Sequence, residues 1–351
     1  MSVSRRVGVL LLVALPRVGA AQAVLLDVPL KSQRAAVSQT IGLTDITITY
    51  HRPLANGRVI WDSLVPYGQV WRAGANVNTT IAFSDPVTID GQPLAKGTYG
   101  LHMIPAADRW TIIFSNNATS WGSFTYHQDE DALRVTVVPR AGPMRDALTF
   151  EFDSLEPAST VVEMSWDKVV VPFRVAVDVH AVAQASIRRQ LRTLARYTWM
   201  SWDEGARYLL GEGIALDTAL EYTSRSIALE DRFDNELTKS KVLRALDRPT
   251  EASVAERRAV DLGTAAQLDQ FARDLLAAKH TDGADAIFLA NAKKHPDQWV
   301  AHEGLARMYS AQKKFGDAAK QLRTALALAP ESARGDLGAL MAKLRAGQDI
   351  N

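Results

Sequence analysis

From Val37 to about Val179 apolar and polar residues alternate in short runs, the period-two pattern of strands buried on one face. Ile46, Ile48 and Tyr50 fall on one side and Thr47, Thr49 and His51 on the other. Tyr99, Leu101 and Met103 oppose Gly100, His102 and Ile104, and Trp110, Ile112 and Phe114 oppose Thr111 and Ser115. Later strands are expected around Leu133–Val137, Leu148–Phe152 and Val169–Val177. Asp90-Gly91 reads as a hairpin turn, because glycine accepts the positive φ such turns need. Short strands separated by turn residues predict an antiparallel β-sandwich over residues 24–180, with a barrel as the other closure.

Beyond Val179 glycine and proline thin out, and apolar residues recur at three and four, so residues 184–348 are predicted helical. Leu305, Ala306, Tyr309, Ala318, Leu322, Ala325 and Pro330 stand at the offsets of a tetratricopeptide repeat. Phe271, Ala272, Leu275, Ala284, Phe288 and Pro296 repeat that order, with Asn291 departing at the second small position. Leu243, Ala252 and Ala259 suggest an earlier copy, and Ala206, Leu209 and Ala219 another. Small residues let paired helices approach, large ones fill the layer between pairs, and the expected use of such an array is to hold a peptide or protein partner.

Charge narrows the partners. Forty Lys and Arg against 39 Asp and Glu leave a net charge of +1, which excludes nucleic acid as an expected partner. The absence of cysteine removes disulfides, thiolate metal sites and thiol nucleophiles. At the N-terminus Arg5 and Arg6 precede the apolar run Val7–Pro16, and Ala21-Gln22-Ala23 supplies a small-x-small cleavage pattern. Residues 1–23 therefore read as a signal peptide, and the mature chain is expected in the periplasm or outside the cell, with no membrane span of its own.

The densest candidate chemistry runs through Tyr50-His51-Arg52-Pro53, Asn56-Gly57-Arg58, Ile60-Trp61 and the stretch from Val65 to Asn76, which contains Pro66, Gly68, Trp71, Arg72 and Gly74. With Leu94 to Tyr99 and Trp110 to Phe114 after it, this run resembles the bacterial exported family catalogued as domain of unknown function 2911, over roughly residues 30–178. The resemblance implies an exported β domain often followed by helical repeats, and no established activity.

Arginine forks, indole faces and an asparagine beside glycines suit a carboxylate, phosphate or sugar. The candidate ligand residues are Arg72, Asn76, Arg52, His51, Trp71, Arg58, His102 and Trp121. Alternatively Trp61 and Trp71 are core, and Arg52, Arg58 and Arg72 pair with Asp45, Asp62 or Asp85. The spacing of His51, His102 and His127 matches no metal motif, no serine-hydrolase elbow or phosphate-binding glycine loop is present, and Asp129-Glu130-Asp131 reads as a solvated loop. No catalytic residue, metal or cofactor is assigned. The sequence points to an exported, non-enzymatic adaptor, with a carbohydrate- or small-anion-binding domain, or a hydrolase, as the other reading.

Overall fold

The structure, a computed structural model, describes residues 29–351; the expected signal peptide lies outside the described residues. The chain divides into two units, one ending at Val177 and one spanning Asp178–Asn351.

The first unit is made of antiparallel strands. β1 (Gln33–Ile41), β2 (Thr44–Arg52), β3 (Thr80–Phe83), β6 (Gly97–Ile104), β7 (Trp110–Ser115) and β8 (Asp131–Val137) form a six-stranded sheet in the order β1-β2-β3-β6-β7-β8. β4 (Val87–Ile89), β5 (Gln92–Leu94), β9 (Arg140–Glu156) and β10 (Ser159–Ala176) form a second sheet in the order β5-β4-β10-β9. Asp90 and Gly91 connect β4 to β5 with φ of 46° and 83°, the left-handed pair that lets a two-residue loop follow the strand twist.

The alternating apolar faces meet between the sheets. Ile46, Ile48, Leu101, Ile112, Val171 and Val175 are fully buried, Phe114 lies 5.9 Å from Phe173, and the Tyr50 ring lies 4.9 Å from Phe150 while its hydroxyl accepts the Phe150 amide. This is a sandwich, not a closed barrel. One end of its core holds four indoles. Trp61 sits 4.9 Å from Trp110 and 6.0 Å from Trp71, and Trp71 stacks on Trp166 at 5.9 Å.

The second unit is helical. After α1 (Val179–Gln190) come the hairpins α2 (Trp199–Gly211) with α3 (Leu216–Leu229), α4 (Phe233–Ala245) with α5 (Pro249–Leu262), α6 (Ala265–Ala277) with α7 (Thr281–Lys294) and α8 (Trp299–Ala311) with α9 (Phe315–Leu328). α10 (Glu331–Arg345) follows. Ala219, Ala252, Ala284 and Ala318, one in the second helix of each hairpin, have no exposed surface, as the close helix approach requires. Asn291 breaks the small-residue pattern without loosening it: it is wholly buried and donates through Nδ2 to the Ala265 carbonyl at 2.9 Å. Beyond α10 the chain returns to α8. Arg307 donates to the Ile350 carbonyl at 2.7 Å, Ser310 donates to the Asp349 carboxylate at 2.6 Å, and the Ile350 side chain is buried with α10. No helix among the described residues is long and apolar enough to cross a membrane.

Candidate functional site

On the six-stranded sheet the face turned away from the sandwich core carries a transverse polar row. Arg34 pairs with His51 across β1 and β2, His102 with Ile113 across β6 and β7, and Ile113 with Arg134 across β7 and β8. Thr49 pairs with Thr80, Thr80 with Gly100, and the Leu101 amide donates to the Thr79 carbonyl at 2.8 Å. Continuing that register places Asn78 between His51 and His102, with same-face neighbours about 5 Å apart. Gly100 makes room for the row: a Cβ there would stand 2.4 Å from the Asn117 carbonyl, 2.7 Å from Asn78 Nδ2 and 3.3 Å from His102 Nε2.

One segment runs beside this row and another covers it. Residues 71–79 lie alongside the ends of β2 and β6: Trp71 exchanges backbone hydrogen bonds with Met103, and a Cβ on Gly74 would stand 3.2 Å from the His51 carbonyl. Residues 116–127 cover β6: the Asn78 amide donates to the Ser120 carbonyl at 3.2 Å, its Nδ2 to the Asn117 carbonyl at 3.2 Å, and Ser123 Oγ lies 3.2 Å from His102 Nδ1. Arg72 closes the gap between the loops, its Nη1 3.5 Å from the place of a Gly122 Cβ. Trp121 and Phe124, 64 % and 80 % exposed, stack on each other at 5.9 Å on the rim.

Polar atoms here are left without partners. His51 and Asn78 are 6 % and 5 % exposed, yet His51 Nδ1 and Asn78 Oδ1 have no hydrogen bond, and neither does the buried Arg72 Nε. Buried polar groups are paired as a rule, so three orphans in one neighbourhood are a feature to be explained. Burial holds the His51 ring below its usual range, and the positive charges of Arg34 and Arg72 push the same way; burial also lowers Arg72. The His51 end of the row is thus electropositive and under-bonded.

The other end is more densely bonded, although Asp131 Oδ1 has no partner. Asp131 accepts from Tyr126 at 2.7 Å and pairs with Arg134 at 2.5 Å, and Arg134 also donates to the Tyr126 hydroxyl. Of Asp129-Glu130-Asp131 only Asp129 is solvated as expected. Asp131 opens β8 within this network, and Glu130 accepts from Asn117. Burial drives His102 down to about 4 against the pull of Asp131, so this imidazole stays neutral and is too weak a base to activate Ser123 near neutral pH. The Ser123 contact fixes the loop.

The remaining candidates from the sequence stand elsewhere. Arg52 donates to the Leu148 carbonyl and the Thr149 hydroxyl of β9, and Arg58 to the carbonyls of Ala55 and Leu54, so Arg52 ties the end of β2 to the second sheet and Arg58 pins irregular backbone. Asn76 takes φ of 58° and donates to the Ser32 carbonyl. Trp71 belongs to the indole cluster, its ring nitrogen bonded to the Gly74 carbonyl. Arg52, Arg58 and Arg72 form no ion pair with Asp45, Asp62 or Asp85, because Asp45 and Asp85 accept from Thr40, Thr44 and Ser84, and Asp62 from the Tyr67 amide. Of the predicted residues the structure gathers His51, Arg72, His102 and Trp121; Arg34, Asn78, Ser123 and Phe124 join them.

Residues 32–175 match the family described as "Protein of unknown function (DUF2911)". That match spans most of the β unit. The polar row, its roof and the indole cluster all lie within the DUF2911 match, and the helical unit lies wholly beyond it. No curated protein matches the chain. Among solved structures, "Crystal structure of YrrB: a TPR protein with an unusual peptide-binding site" is similar at 18 % identity over 44 % of this chain and 81 % of that one, with a TM-score of 0.27. A second, "Functional Characterization of Pseudomonas Aeruginosa pilF", is similar at 16 % identity over 44 % and 70 %, with a TM-score of 0.30. Similarity at that level adds nothing to the hairpin register of the buried alanines, which carries the repeat assignment on its own.

In the helical unit a cleft of about 680 Å³ opens between α4 and α6. Leu237, Phe271 and Leu275 are its apolar lining; Lys241, Arg244, Lys279 and His280 line it together with the carboxylates Glu256 and Asp282. Arg244 is engaged with Glu256, while among the described residues Lys241 and Lys279 have no ion-pair partner. A second hollow, of about 370 Å³, lies along α6 and is bounded by Arg273, Arg307 and Asn351.

Proposed function

We propose that this chain is an exported, non-enzymatic adaptor whose helical repeats hold a segment of a protein partner. The observation that carries this reading is the cleft between α4 and α6, an apolar lining beside Lys241 and Lys279, whose charges, among the described residues, are not taken up by ion pairs as that of Arg244 is by Glu256. Such a lining suits an acidic segment that inserts one or two apolar side chains, the surrounding charge steering and orienting it. The leader pattern of residues 1–23 supports export to the periplasm or beyond, and the mature chain then begins near Val24.

Fluorescence anisotropy of the purified chain with labelled acidic, basic and neutral peptides of matched hydrophobicity tests the binding reading. Acidic peptides should bind best, and the double variant Lys241→Glu and Lys279→Glu should reverse the preference with the melting temperature unchanged. Equal binding of all three classes, or the same order in the variant, refutes the cleft. Intact-mass measurement of the protein from its source cell tests export, and retention of residues 1–23 refutes it.

A further inference from the structure

We propose that the electropositive end of the polar row is a binding site for an anionic monosaccharide, a uronic acid or a sugar phosphate. The argument is one of unmet chemistry. Arg72 Nε is a buried donor without an acceptor, and the charges of Arg34 and Arg72 both act on His51. A planar guanidinium is built for the paired oxygens of a carboxylate or phosphate. Asn78 Oδ1 is a buried acceptor that needs a donor, and no bare carboxylate supplies one; its Nδ2 is already given to Asn117. A ligand that satisfies both carries a hydrogen-bond donor near its charge, as a sugar hydroxyl beside a carboxylate or phosphate does. His51 Nδ1 lies in the same row and can serve either sense through its tautomer.

The rim supplies the third element. Gly122 brings the aromatic pair and the guanidinium together: the place of its Cβ is 3.2 Å from the Phe124 ring and 3.5 Å from Arg72 Nη1. The Trp121 and Phe124 faces are open, and the apolar C–H face of a pyranose packs on such a surface while its hydroxyls and charge point to the row. Anion, hydroxyl and apolar face are the three features of an acidic sugar. The site lies in the β unit and is independent of the adaptor reading.

Isothermal titration of the full chain with glucuronate, galacturonate, glucose 6-phosphate, glucose and inorganic phosphate tests the proposal. At least one anionic sugar should bind about tenfold or more tighter than both glucose and phosphate. Arg72→Ala should abolish that binding. Trp121→Ala changes an exposed side chain, so it leaves the fold intact; it should weaken the anionic sugar several-fold and leave phosphate unaffected. Failure of every anionic sugar to bind overturns the site, as does unchanged affinity in Arg72→Ala. Phosphate binding as tightly as the sugars, with Trp121→Ala silent, overturns the sugar assignment.

Discussion

A single buried carboxylate shows how position overrides residue type. Asp269 on α6 is 4 % exposed, its Oδ1 has no hydrogen bond, and its Oδ2 is 3.6 Å from Arg273. Burial first, and the like charge of Glu303 second, push its pKa up to about 6 from an ordinary 3.8, against the opposing pull of Arg273 and Arg307. The folded state therefore holds the proton more tightly than the unfolded chain. This contribution to stability is complete below about pH 4 and is lost as pH rises through 6. Asp269→Asn should raise the melting temperature at pH 7.5, by up to about 3 kcal/mol of stability, and give no gain at pH 4. Thermal melts at the two pH values check it; equal effects at both would mean that the carboxyl does not change its protonation between them. Single residues were also where the sequence was hardest to read. Arg52, Arg58, Arg72 and Asn76 share one stretch, yet of these only Arg72 keeps a buried unmet donor, because carbonyls 3 to 96 positions away and the Thr149 hydroxyl engage Arg52, Arg58 and Asn76. Arg34 and Asn78 were invisible as site residues, since strand register, not spacing along the chain, brings them beside His51.

Elements were more legible, because period and register leave marks along the sequence. The change from alternation to three-and-four spacing near Val179 falls where β10 gives way to α1, and the alanines at 219, 252, 284 and 318 all sit at helix contacts. Both signals arise from close packing, which tolerates few residue types. Ala318→Leu should destabilise the helical unit by roughly 1–3 kcal/mol, since α9 has no room for three more carbons beside Ala306 and Leu337. A denaturant titration followed by far-UV circular dichroism reads this, and an unchanged midpoint would place Ala318 outside the contact. What the pattern did not show was the long pairing of β9 with β10, whose register shifts at Ser159, Ser165 and Asp167 interrupt the alternation. The return of Asp349 and Ile350 to α8 was equally hidden, because nothing in a short polar segment announces a docking partner 39 residues away.

At the scale of the whole chain, each unit encloses its own apolar clusters. Residues 29–177 and 178–351, expressed apart, should give a β-type and a helical circular dichroism spectrum respectively. A random-coil spectrum from either would show that it depends on the other. The chain also labels its own halves. Of the eight tryptophans, Trp199, Trp202 and Trp299 belong to the helices, and four of the remaining five form the indole cluster of the sandwich. Indoles this close, with Trp61 inclined at 72° to 85° to its three neighbours, couple their electronic excitations and should produce a paired positive and negative band in the ultraviolet. That couplet belongs to the β unit alone, while the far-ultraviolet signal is dominated by helix. Melting the chain at the two wavelengths should therefore resolve the units optically, with no dye, tag or introduced cysteine.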